Sequence, residues 1–269
     1  MPVLTDINRR LLKRLPPFSP VAIRLLSALA DERASLKEVA QLIALDPVLA
    51  GQVLGLANSG LYGRRYGVHS ILTATALLGV GKLSQIVTTA ALWRGLPHRT
   101  APFVRDWWRH SIAAALIAQQ SSKELALDFG YTAALLHGVG QLALFQDAPA
   151  DYPDLVERTC AEGLDLLASE RDRFSVDHAS LGGLLLESWG LPETLCDAVA
   201  NHHAAAAVSP LVLAVQTGCT GAEYAGFGRC GCHECLTAGI PELLAELLAG
   251  NYSLDTLAAE VNQIECSLA

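Results

Sequence analysis

Three observations predict an all-helical protein. Ala and Leu abound while aromatic and β-branched runs are sparse, a composition that favours helix over strand. Apolar residues recur at helical spacing, and no run alternates with the period of two that a half-buried strand requires. Serine or aspartate opens several apolar runs, where its side chain caps a first turn. With 269 residues, 51% of them apolar, the chain has material for one or two cores.

In order, residues 4–15 read as a short helix closed by Pro16 and Pro17. Residues 21–30 repeat apolar side chains at helical spacing. Ser35, with Glu38 three residues on, gives a capping-box pattern ahead of a helix over 36–45. Asp46 and Pro47 restart a helix that ends near Ala57 in the turn Asn58-Ser59-Gly60. A polar loop with Tyr62, Arg64, Arg65 and Tyr66 follows, and Ser70 caps a helix over 71–78. Gly79-Val80-Gly81 separates it from a helix over 82–92. That G-x-G also suits a helix–hairpin–helix turn that holds a phosphate, but four residues are a short match and a tight helix junction explains them. Arg64, Arg65 and Lys82 stand as a candidate patch for nucleic acid or another anion.

Residues 97–102, with two prolines and no periodicity, mark a boundary. A helix over 104–122 carries Trp107, Trp108 and His110. The central stretch, residues 131–144, reads YTAALLHGVGQLAL: an apolar run with one imidazole, His137, ahead of Gly138 and Gly140. It reads as a buried helix that its glycines end or break. Further helices are predicted over 151–162, 177–189, 192–203, 210–224, 241–249 and 254–267. The domain reading is a helical lobe over 1–100, a second helical domain over 101–225, and a Cys-rich loop with terminal helices over 226–269.

Charge divides along the same line. Residues 1–100 hold 12 Lys/Arg against 5 Asp/Glu, and residues 101–269 hold 7 against 22, within a net −8. Ordinary solvated faces explain this, although the basic lobe keeps nucleic acid open as a partner. No leader precedes an apolar core, and the longest uncharged stretch, 198–222, is too polar to span a bilayer. Cytoplasmic placement is the expectation, without membrane contact, and the seven cysteines are read as free thiols. Cys230, Cys232, His233 and Cys235 crowd three thiols and an imidazole into six residues. They are candidate zinc ligands, with Cys219 as a further one, a thiol switch, or an inert loop.

The segments LPPFSPVAIRLLSAL, LIALDPVLAGQVLGLANSGLYG and HSILTATALLGVGKL, followed by WWRHSIAAALIA, ALLHGVGQLAL and DHASLGGLLLESWGLPETLCDAVANHH, resemble the HDOD family of bacterial signalling proteins over about residues 15–225. The resemblance implies an N-terminal multi-helix lobe packed on an HD-like helical domain. Related HD hydrolases hold divalent metal with histidines and two aspartates. Carried over, the imidazoles match His110, His137, His178, His202 and His203, while the aspartates fall on Gly138 and on Gln216. Both carboxylates are therefore missing, and the histidines are expected to line a vestigial ligand pocket. No catalytic residue and no cofactor are expected apart from zinc at the Cys loop.

The resulting reading is a non-enzymatic regulatory module that binds a protein signalling partner or small ligand. The alternatives are a metal-dependent phosphohydrolase or phosphodiesterase, and a nucleic-acid-associated regulator using the basic lobe. Nothing in the sequence sets the oligomeric state.

Overall fold

The computed structural model describes residues 6–15, 18–31, 33–59, 67–124, 129–227 and 253–268, and every regular element among them is an α-helix. The chain divides into two compact units. One comprises residues 17–95 and 189–192; the other comprises 1–16, 96–188 and 193–269. The first sixteen residues, which the sequence reading places with the N-terminal lobe, thus cluster with the second unit.

In the unit of residues 17–95, α2 (Pro20–Ala30), α3 (Leu36–Ala44) and α4 (Pro47–Ala57) each pack against the long α5 (Ile71–Gly95). The predicted caps at Ser35 and Asp46 form, and Ser19 adds one that the sequence reading did not name. Ser19, Ser35 and Asp46 accept backbone N–H groups of the first turns of α2, α3 and α4, satisfying donors that have no partner inside a helix. Asp46 also pairs with Arg94 at 2.6 Å, and this guanidinium holds its carboxyl below the ordinary carboxylate range despite partial burial. Asn58 closes the next loop with two backbone bonds to Val68, at 2.8 and 2.6 Å. Gly79 sits at φ 73°, ψ 171°, a conformation that side chains avoid, and α5 turns there. Among the described residues, α5 is the one helix long and apolar enough to cross a membrane. The bend at Gly79 and its packing against three helices give it a place in this core.

The other unit begins with α1 (Asp6–Leu11), which meets α8 (Val139–Asp147) and ties Arg10 and Arg14 to Asp147. Its centre is α6 (Pro102–Glu124), where Trp107, Trp108 and most residues from 110 to 118 are buried. Helices α7 (Gly130–Leu136) and α13 (Pro210–Tyr224) pack on it. All seven residues of α7 are buried, which explains the near-continuous apolar run in the sequence. The predicted central helix is broken at His137-Gly138, where α7 gives way to α8. Next come α9 (Asp151–Glu162), α10 (Leu166–Phe174), α11 (His178–Ser188) and α12 (Glu193–Ala200). The last described helix, α14 (Leu254–Leu268), docks on α6 through buried Leu257 and Val261 and an Arg109–Glu265 ion pair.

Two glycines set the helix spacing in this unit. A Cβ at Gly140 would lie 2.0 Å from the His178 carbonyl oxygen, and one at Gly218 would lie 2.4 Å from that of Ala114. Only the missing side chains let α8 close on α11 and α13 close on α6.

Candidate functional site

These close approaches gather six donors in one buried cluster. His110 comes from α6, and His137 caps the C-terminus of α7. His178 is the first residue of α11, and His202 and His203 lie in the turn after α12. Cys219 comes from α13, beside Gly218. Neighbouring imidazole centroids stand 4.1 to 5.4 Å apart, and His110, His137, His178 and His202 are each at most 3% exposed. All five histidines expected from the sequence therefore meet.

The donors fall into two adjoining trios, His110–His137–Cys219 and His178–His202–His203, each with its ligand atoms within 4.8 Å of one another. In the first, His110 Nδ1 donates to the Phe227 carbonyl at 3.0 Å and His137 Nδ1 to the Ala134 carbonyl at 2.5 Å. The protons thus sit on Nδ1, and the two Nε2 atoms face each other at 3.3 Å. Cys219 Sγ stands 3.7 Å from His110 Nε2.

The second trio is organised by Glu170 of α10. Its carboxylate is fully buried and accepts from Tyr152 Oη at 2.6 Å, from the His178 backbone N–H at 2.7 Å and from His178 Nδ1 at 2.8 Å. Burial alone would lower the His178 pKa, but the adjacent Glu170 carboxylate raises it. His203 is pushed the other way, to about 3, by burial and by neighbouring His178. His178 Nε2 and His203 Nε2 stand 3.0 Å apart, within hydrogen-bond distance. His202 donates from Nδ1 to the Val199 carbonyl at 2.6 Å; burial and its imidazole neighbours push its pKa well down. Its Nε2 is buried without a hydrogen-bond partner among the described residues.

The positions that the sequence reading matched to the HD aspartates are Gly138 and Gln216. A Cβ at Gly138 would lie 2.6 Å from Trp107 Nε1, and that indole donates to the Gly138 carbonyl at 2.9 Å. The sequence reading placed the final position at Gln216, but Gln216 Nε2 donates to the Ala204 carbonyl, and Cys219, about one turn further along α13, meets the imidazoles. A hard-metal pair needs oxygen ligands, above all a bridging carboxylate, so these residues do not fit one.

Of the other predicted site residues, Lys82 is described. Lys82 Nζ donates to Gln85 Oε1 at 2.7 Å, and Arg64 and Arg65 fall outside the described residues. Cys230, Cys232, His233, Cys235 and the predicted 241–249 helix also fall outside them. Among the described residues Cys160, Cys196, Cys219 and Cys266 are not in disulfides, as read from the sequence. Burial and acidic neighbours push the Cys196 thiol up to about 11. Sequence reasoning missed Glu170 altogether, and weighed Cys219 only with the distant Cys loop. The available signal for α10 was Asp165, whose carboxylate caps that helix through the Ala168 N–H.

The fold and the cluster define an HD-type helical domain with an imidazole-rich centre. The chain belongs to the HDOD family, whose domain model matches residues 15–205. Solved structures share this architecture. A Shewanella amazonensis protein named as a candidate phosphohydrolase aligns with a TM-score of 0.69 and 22% identity, over 98% of this chain and 99% of that one. An HDOD domain protein of unknown function from Geobacter sulfurreducens aligns with a TM-score of 0.64 and 23% identity, over 97% and 94%. A Marinobacter aquaeolei protein named as a candidate signal transduction protein aligns at 0.69 and 22%, over 96% of this chain and 59% of that one. An uncharacterized Treponema pallidum protein is 22% identical over 192 residues, and the matched part spans 70% of this chain and 37% of that protein.

Proposed function

We propose that this chain is a regulatory module of bacterial signal transduction that works by binding rather than by hydrolysis. Its buried imidazole pocket holds the ligand, and its helical surfaces meet a protein partner. One observation carries the reading: no carboxylate belongs to either donor trio among the described residues. The buried carboxylate beside them, Glu170, is committed to His178 and Tyr152. Metal-dependent phosphoryl chemistry needs an accessible metal-bound water and oxygen ligands that tolerate a hard ion. A nearly sealed cluster of imidazoles and a thiol supports neither requirement.

The convergence of six donors supports a phosphohydrolase as the second reading. The two separate in an assay of the full chain with bis-p-nitrophenyl phosphate and with a cyclic dinucleotide, supplied with manganese or ferrous ion. The proposed reading expects no turnover above that of His137→Ala. Sustained turnover that His137→Ala abolishes would overturn it in favour of the hydrolase.

A further inference from the structure

Three donors, His110, His137 and Cys219, converge in the core of this unit. His110 and His137 each spend Nδ1–H on a backbone carbonyl, which turns both Nε2 lone pairs toward one another at 3.3 Å. Two acceptors facing each other in a dry interior repel unless a cation or proton lies between them. Anchoring the far ring nitrogen on a carbonyl is also how proteins orient histidines as metal ligands. Cys219 adds sulfur 3.7 Å from His110 Nε2.

The spacings match one coordination geometry. Zinc bonds to nitrogen are about 2.0–2.1 Å and to sulfur about 2.3 Å, so two nitrogens on a zinc tetrahedron stand about 3.3 Å apart and a nitrogen and sulfur about 3.6 Å. The observed 3.3 and 3.7 Å are those edges. A second observation points the same way. His202 Nε2 is buried without a hydrogen-bond partner among the described residues, and its ring lies edge-on to His137 with centroids 5.1 Å apart. The neighbouring trio is organised differently: the Glu170 carboxylate takes His178 Nδ1 at 2.8 Å, and His178 Nε2 meets His203 Nε2 at 3.0 Å.

We infer that His110, His137 and Cys219 form a binding site for a borderline transition-metal ion of the zinc type. Imidazole and thiolate ligands select such ions over magnesium, calcium or manganese. The site therefore departs from the hard-metal arrangement that the HD resemblance implies. It deepens the binding-module reading and rests on it, by naming the chemistry of what the pocket holds.

The test uses the full chain carrying Cys230→Ser, Cys232→Ser and Cys235→Ser, so that the Cys loop contributes no thiolate signal. After chelation, the protein is titrated with cobalt(II) and followed by absorption. The expected result is one cobalt per chain, with a thiolate-to-cobalt charge-transfer band and tetrahedral visible bands. Stoichiometric zinc should displace both, and excess magnesium or manganese should displace neither. Cys219→Ser, checked for folding by circular dichroism, should lose the charge-transfer band, and His110→Gln should weaken cobalt binding. Absence of cobalt binding, a band that persists in folded Cys219→Ser, or displacement by magnesium would overturn the metal site while leaving the non-hydrolytic reading intact. Phosphodiester turnover by the zinc-loaded protein would instead overturn that reading.

Discussion

Glu170 and His178 form a buried ion pair in which both carboxylate oxygens lie within 2.9 Å of the imidazole Nδ1, and one also accepts the His178 backbone N–H. The carboxylate thereby fixes the ring and the first turn of α11 together. Removing one member of such a pair strands the other in the core. Glu170→Ala is expected to destabilise the fold by about 3–5 kcal/mol, and Glu170→Gln, which keeps the volume, by less. Urea denaturation near neutral pH measures both, and equal losses would show that packing rather than charge decides.

The same pocket makes stability depend on pH in two directions. His178 has a folded pKa above its unfolded value of 6.5, so its stabilisation is complete below that value and lost as the pH rises through the folded one. His203 is depressed from 6.5 to about 3, so the unfolded chain takes up its proton first and stability falls as the pH drops between those values. Each such proton is linked to a slope of about 1.4 kcal/mol per pH unit. A stability profile should therefore decline on both sides of near-neutral pH, and His203→Gln should shallow the acid limb. An unchanged acid limb in that variant would contradict the assignment.

Two glycine-to-alanine changes should have opposite signs. At Gly140 the added methyl meets the His178 carbonyl at 2.0 Å, and overpacking of this kind costs about 1–3 kcal/mol, more when backbone must move. At Gly51, within α4 and exposed, nothing lies within 4 Å. There alanine should stabilise by about 0.5–1 kcal/mol through helix propensity. Thermal melts of the two variants check the pair, and two changes of the same sign would refute the packing argument.

Asp46 joins a helix cap to an ion pair, and two substitutions separate them. Asp46→Asn retains a capping oxygen and should lose only the Arg94 contribution, under about 1 kcal/mol for an exposed pair. Asp46→Ala loses the cap too, for about 1 kcal/mol more. Chemical denaturation of both, at low and high salt, should show salt sensitivity in the wild-type-to-Asn difference alone.

Restoring one carboxylate should not restore a hydrolase. Gly138→Asp places a side chain against Trp107, while the donor trio of His110, His137 and Cys219 would still lack a second carboxylate. The variant should be less stable than wild type and show no phosphodiester turnover. Robust turnover would mean that a single aspartate suffices.

The helices were legible because their caps and periodicity are local. Ser35, Asp46 and the Gly79 junction act over a few residues, and each behaves as its neighbours dictate. The histidine positions were legible through resemblance, which preserves the order of segments along the chain. Glu170 was not, because α10 is short and polar and its importance lies in a contact with His178 across a turn. The role of Cys219 was not legible either: Gln216 bonds the Ala204 carbonyl while Cys219, about one turn on, reaches His110, and an apolar run does not fix which face of α13 meets α6. The break at His137-Gly138 was only half legible: glycines signal an interruption, but the Trp107 indole that fills the space beside it comes from another helix.

That indole also governs how this centre could change. An aspartate at position 138 arriving first collides with Trp107; a smaller residue at 107 arriving first opens a void, for about 3–5 kcal/mol, and leaves the Gly138 carbonyl without its donor. Either order of substitution passes through a weakened protein. Positions 107 and 138, 31 residues apart, are thus coupled by a packing barrier that neither can cross alone without cost.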